Sequence, residues 1–153
     1  MAVLLIAEDD DDVCLALRLL FTRAGFTVRT APDGLSALAI AEAERPDIVL
    51  TDLDMPGLTG LQLCQAIRRH PDLARIPVAI LSGSLQPGDP RAAAAHVCQV
   101  ILKPFANTAL VAAVRDLLAV GRHDHAAGSN PCLRAAVTPE RRTVSLTGAL
   151  PLG

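Results

Sequence analysis

Tyrosine and tryptophan are missing from the 153-residue chain, and its three phenylalanines make aromatics only 2% of the whole. A base-stacking platform for single-stranded nucleic acid is thereby excluded, since such platforms need several exposed rings. Basic excess is missing too. The formal net charge is −2 and the pI is near 6.0, which argues against direct nucleic-acid binding. No uncharged run approaches the roughly 18 residues a membrane span needs. The start, MAVLLIA before Glu8, has no basic lead and a short apolar stretch, so it does not read as a signal peptide. The four cysteines (Cys14, Cys64, Cys98 and Cys132) include no closely spaced pair of the zinc-knuckle or redox type. They read as reduced thiols of a cytoplasmic protein, mostly small core residues. Lysine is almost absent: of fourteen basic residues, only Lys103 is not arginine.

What is present is ample apolar material, 51% of residues against 20% charged, enough for a core of Leu, Val, Ile and Ala. It falls into five short runs at residues 3–7, 27–30, 48–51, 78–81 and 100–102. Four of the five carry no charge, as strands buried on both faces do. The second carries Arg29 and reads as an edge. Helical patterns lie between them. In the first, Val13, Leu17, Leu20, Phe21 and Ala24 form an inward stripe that Gly25 ends. Others span about 34–44 before Pro46, 60–70 before Pro71, a poorer stretch from Pro90 through Ala95, and 107–120 before Gly121. Alternation of this kind predicts βαβ units, hence a doubly wound α/β domain with a parallel sheet. Residues 122–153 show no clear period and read as a C-terminal tail or linker, with His123 and His125 as part of a solvated linker.

In such sheets ligands bind beyond the carboxyl ends of the strands. The first run is followed there by Glu8 and Asp9, the third by Asp52, the fourth by Ser82 and the fifth by Lys103. Clustered carboxylates repel one another at reduced dielectric, and a hard divalent cation, Mg²⁺ above all, relieves that repulsion. The later acids Asp11 and Asp12 are expected to cap the first helix instead. A carboxylate beside Mg²⁺ can attack phosphorus and form an acyl phosphate. The transferred group then needs a hydroxyl donor and a fixed cation, roles open to Ser82 and Lys103.

The segments LLIAEDD (4–10), DG (33–34), DIVLTDLDMPGLTG (47–60), PVAILS (77–82) and KPF (103–105) together resemble the receiver domain of two-component response regulators. The resemblance covers about residues 1–120, and residues 1–121 are read as that domain. It implies a (βα)5, flavodoxin-like sheet of order 2-1-3-4-5. It also implies Asp52 as phospho-acceptor, with Glu8, Asp9, Asp52 and the main-chain carbonyl of Asp54 as Mg²⁺ ligands. Ser82 takes the place of the switch hydroxyl and Lys103 that of the phosphate-pairing lysine. The implied partners are a sensor histidine kinase or phosphotransfer protein, and a downstream protein or second copy at the helix 4–strand 5–helix 5 face. No membrane or direct nucleic-acid contact is expected, and the domain is expected to be a switch, not a metabolic enzyme. Two places depart from the family's habit: Val100 stands where an aromatic is common, and the pair His96-Val97 where Gly-Ala is frequent. Two alternatives remain open. One is a non-phosphorylated scaffold of the same fold. The other is a phosphatase of the haloacid-dehalogenase type, suggested by Asp52-Leu-Asp54. On the fifth helix, Ala109, Ala112, Ala113, Ala119 and Val120 lie off the expected inward stripe of Leu110, Val114, Leu117 and Leu118 and suggest a docking strip.

Overall fold

A computed structural model describes residues 1–86 and 88–125. The greater part of the expected C-terminal tail, residues 126–153 with Cys132, lies outside the described residues. Five strands alternate with five helices: β1 (Val3–Ala7), α1 (Asp11–Arg23), β2 (Thr27–Ala31), α2 (Gly34–Glu44), β3 (Ile48–Asp52), α3 (Gly60–Arg69), β4 (Val78–Ser82), α4 (Pro90–Ala94), β5 (Gln99–Leu102) and α5 (Asn107–Val120). The strands form one parallel sheet in the order β2-β1-β3-β4-β5, as expected. β2 is indeed an edge, with Arg29 exposed.

Side chains alternate between faces along each strand, and the sheet divides the core in two. Leu5, Ala7, Val49, Val78, Ile80 and Val100 face α2, α3 and α4. Leu4, Ile6, Ile48, Leu50, Ala79 and Leu81 face α1 and α5. The second layer also holds all three phenylalanines. Phe21 and Phe26 meet edge to face with ring centroids 5.5 Å apart, and Phe105 packs alongside. β1, β3 and β4 are covered on both sides, which is why their sequences read as unbroken apolar runs.

Several helix details differ from expectation. Asp10, not Asp11 or Asp12, caps α1: its extended backbone leaves the carboxylate free to accept from the N–H groups of Asp12 and Val13. Asp11 and Asp12 occupy the first turn, where negative charge still meets the helix's positive end. Val13 is partly exposed, and only Leu17 and Phe21 of the α1 stripe are fully buried. On α5, Ala113 is buried and Leu118 is only partly so, because the helix is rotated to set its small residue against the sheet. Ala109, Ala112, Ala119 and Val120 are exposed, as expected.

Two close approaches set the site-bearing loop after β3. A Cβ on Gly60 would collide with the carbonyl oxygen of Asp52 and sit 3.1 Å from Leu53 Cα. A Cβ on Gly34 would collide with Leu58. Thr59 begins α3 with a reciprocal cap, its side chain accepting from Gln62 N–H while Gln62 accepts from Thr59 N–H.

Candidate functional site

The carboxyl ends of β1, β3, β4 and β5 bring the predicted residues onto one rim. Glu8 follows β1 and is buried, and its N–H donates to Ala31 O on β2. Asp52 closes β3 and is 7% exposed. Oxygen atoms of Glu8, Asp9 and Asp52 all lie within 4.8 Å of one another. Lys103, just past β5, donates from Nζ to Asp52 Oδ1 at 2.7 Å. That bond joins residues 51 positions apart in the chain.

The electrostatics follow from burial. Desolvation first, and the Asp52 charge second, push the Glu8 carboxyl up from 4.5 to about 7. The Asp10 N–H, which donates to Glu8 Oε1, and the Lys103 ammonium pull the other way and do not win. Burial likewise works against the Lys103 charge, yet the Asp52 bond and the nearby Asp52, Glu8 and Asp54 carboxylates outweigh it and hold that ammonium above the ordinary lysine value. Among the described residues, Glu8 Oε2 is buried with no hydrogen-bond partner. A buried orphan oxygen among three convergent carboxylates fits a hard, oxygen-seeking cation, so the residues present suit a magnesium-type ion.

Ser82 ends β4 and is 2% exposed. Its Oγ accepts from the N–H groups of Ser84 (3.0 Å) and Leu85 (2.8 Å), so it serves in this state as the pivot of the loop after β4. Asp54 is exposed two residues beyond Asp52. The Lys103–Pro104 peptide bond is cis, and Lys103 N–H donates to Ser82 O, tying the two strand ends together. Val100 is buried in the layer under α2–α4, so the position offers no ring to swing.

Sequence reasoning missed the opposite rim. Arg68 of α3 donates to His96 O from two nitrogens (3.0 and 2.9 Å), to Ala74 O and to Ile76 O (2.6 Å). His96 takes φ 56°, a left-handed conformation that favours glycine. The expectation of a solvated linker at residues 123–125 is corrected. His123 N–H donates to Arg75 O, and His125 is 8% exposed. The extended His-x-His spacing was the signal, since residues two apart on an extended segment share a face.

An open parallel sheet with convergent carboxylates and one ammonium at its carboxyl rim defines a doubly wound domain of the signalling-receiver class. The chain belongs to the response regulator receiver domain family, whose sequence model matches residues 4–115. It is 41% identical over 127 residues to the transcriptional regulatory protein CseB of Streptomyces avermitilis, covering 82% of this chain and 52% of that one. With the transcriptional regulatory protein PrrA of Mycobacterium tuberculosis the identity is 36% over 115 residues, 74% of this chain and 48% of that one. The chain thus spans about half the length of these curated relatives. Among solved structures, the chemotaxis response regulator CheY4 of Vibrio cholerae superposes with a TM-score of 0.73 at 27% identity, covering 76% of this chain and 98% of that one. The receiver domain of a Pseudomonas aeruginosa sensor histidine kinase, solved with a magnesium ion coordinated in its active-site cleft, superposes at 0.71 and 24% identity, which shows the shared fold; the coverage is 77% and 98%. Among the described residues no helix is long and apolar enough to cross a membrane.

Proposed function

We propose that this chain is a phosphorylation switch that takes a phosphoryl group onto Asp52 from a histidine kinase or phosphotransfer protein. The observation that carries the reading is the 2.7 Å link from Lys103 Nζ to Asp52 Oδ1, on a rim where Glu8, Asp9 and Asp52 converge. Glu8, Asp9, Asp52 and the main-chain carbonyl of Asp54 would hold Mg²⁺. The ion would supply charge neutralisation at the entering phosphoryl oxygens.

The step needs little covalent chemistry from the protein. An Asp52 carboxylate oxygen bonds to phosphorus as the phosphorus–nitrogen bond of a phosphohistidine donor breaks. The electron pair leaves on the imidazole nitrogen, which takes up a proton. The Lys103 ammonium stays protonated and pairs with the new negative charge. A compact ammonium suits a single carboxylate oxygen on this crowded rim better than a planar guanidinium, which accounts for the one lysine in an arginine-using chain. The Ser82 hydroxyl, released from Ser84 and Leu85, would donate to a phosphoryl oxygen and move the loop after β4 with it.

The domain is then a switch with slow self-hydrolysis, not a turnover enzyme, and works in the cytoplasm. Its partner would dock on the α4–β5–α5 face, where Ala109, Ala112, Ala119 and Val120 are exposed. CseB and PrrA, named above, are transcriptional regulatory proteins of which the matched region makes up about half. An output on DNA through the whole protein is therefore part of the proposal, and the expectation of no nucleic-acid contact has no support. Incubation with acetyl phosphate and Mg²⁺ should add one phosphoryl mass to the wild type and none to Asp52→Asn. Equal labelling of both would overturn the assignment, and repeated turnover of a phosphomonoester would favour the phosphatase alternative.

A further inference from the structure

Away from the acidic rim, at the amino-terminal ends of the strands, a second set of ligand atoms converges. Cys98, immediately before β5, is buried. Its Sγ lies 3.2 Å from His125 Nε2 and 3.7 Å from His123 Nε2. The two imidazole rings lie 4.2 Å apart between centroids, and one atom from each of the three residues falls within a common 4.8 Å.

The hydrogen bonds of the far ring nitrogens fix which atoms face inward. His125 Nδ1 lies 3.0 Å from Ala74 O, and His123 Nδ1 lies 2.7 Å from Gly121 O. A carbonyl only accepts, so in each ring Nδ1 carries the proton and the lone pair is on Nε2, the atom turned toward sulfur. Backbone carbonyls in this role are the usual outer partners of metal-bound histidine, fixing tautomer and ring orientation together. On the sulfur side, Arg68 Nη2 approaches Sγ at 3.5 Å. Zn–S of about 2.3 Å and Zn–N of about 2.0–2.1 Å at a tetrahedral angle require S···N separations of about 3.6 Å. The observed 3.2 and 3.7 Å bracket that figure.

We infer that Cys98, His123 and His125 form a transition-metal site of the thiolate–imidazole class, with Zn²⁺ as its ion. Binding releases the Cys98 thiol proton to solvent and leaves a fourth position for water on the half-exposed His123 side. The site would clamp the segment leaving α5 to the start of β5 and to the α3–β4 loop. It would thus fix where the chain departs from the domain. The site is independent of the chemistry proposed at Asp52.

The test uses the full, untagged chain, stripped of metal and held in excess Mg²⁺ so that the acidic cluster is occupied. Titration with Co²⁺ should give one equivalent of tetrahedral visible bands with a thiolate-to-metal charge-transfer band, both displaced by Zn²⁺. Cys98→Ser should remove the charge-transfer band. His123→Gln, at the half-exposed position, should weaken retention in a chelator competition while leaving the unfolding midpoint of the metal-free chain unchanged. Asp52→Asn should keep the bands. Absence of a thiolate band in the wild type, or its survival in Cys98→Ser, would overturn the inference.

Discussion

Glu8 shows how a single carboxyl can cost the fold stability while equipping it. Its ordinary value of 4.5 rises to about 7 in the folded chain, chiefly through burial. Between those values the folded state binds more protons than the unfolded one, so stability falls as pH rises through about 7. Magnesium-free protein should therefore show a lower urea midpoint at pH 8 than at pH 5. Saturating Mg²⁺ should recover much of the loss at pH 8. Glu8→Gln, neutral throughout, should flatten the difference and abolish the Mg²⁺ response. A Mg²⁺-free midpoint that rises over this interval in wild type, and equally in Glu8→Gln, would show that the Glu8 carboxyl is not held protonated by burial. The contrast with Lys103 is instructive. Both groups are partly withdrawn from water, but the ammonium has a carboxylate at 2.7 Å and keeps its charge, whereas Glu8 faces like charge.

At the scale of elements, the junction between α4 and β5 departs most from what chain chemistry prefers. His96 holds a left-handed backbone at φ 56° with its Nδ1 buried and unpartnered among the described residues, while Arg68 fastens its carbonyl. A β-carbon in that conformation costs roughly 1 kcal/mol. His96→Gly should therefore stabilise the protein by about that amount, seen as a higher urea midpoint at unchanged slope. A lower midpoint would mean that the imidazole packs to more advantage than the strain costs. This junction also marks the limit of what the sequence discloses. The strands were legible because each is a short apolar run between breakers, and the acid–lysine rim followed from asking what lies beyond each run. Asp10 was not singled out over Asp11 and Asp12, because capping depends on which residue adopts extended dihedrals, and composition does not encode that. Ala113 was placed on the wrong face because a small residue fits equally against solvent or against a sheet. Cys98 and the two histidines stand 25 and 27 residues apart in sequence, with α5 between them. Only the return of the chain past Arg75 brings them together.

For the molecule as a whole, two cores share one sheet, one on each face. Phe21, fully buried between α1 and the sheet, meets Phe26 and the layer that α5 completes. Phe21→Ala should cost about 3–5 kcal/mol, a large share of the roughly 5–15 kcal/mol that holds a domain together. Chemical denaturation followed by far-ultraviolet circular dichroism and by amide exchange in the α2–α4 layer should shift in step, since loss of one layer exposes the sheet beneath the other. A shift confined to α1 and α5 would instead identify two separable folding units.

β5 is an edge strand of four residues, paired only to β4. Its last neighbour is the ammonium held by Asp52, and its first is the sulfur set among imidazoles. At about 3.3 Å per residue the two ends are roughly 16 Å apart, joined by backbone that barely stretches. A displacement at one end would therefore be carried along the strand to the other. With Cys98 held between His123 and His125, a shift of Lys103 would reach residues 121–125 along this one short strand.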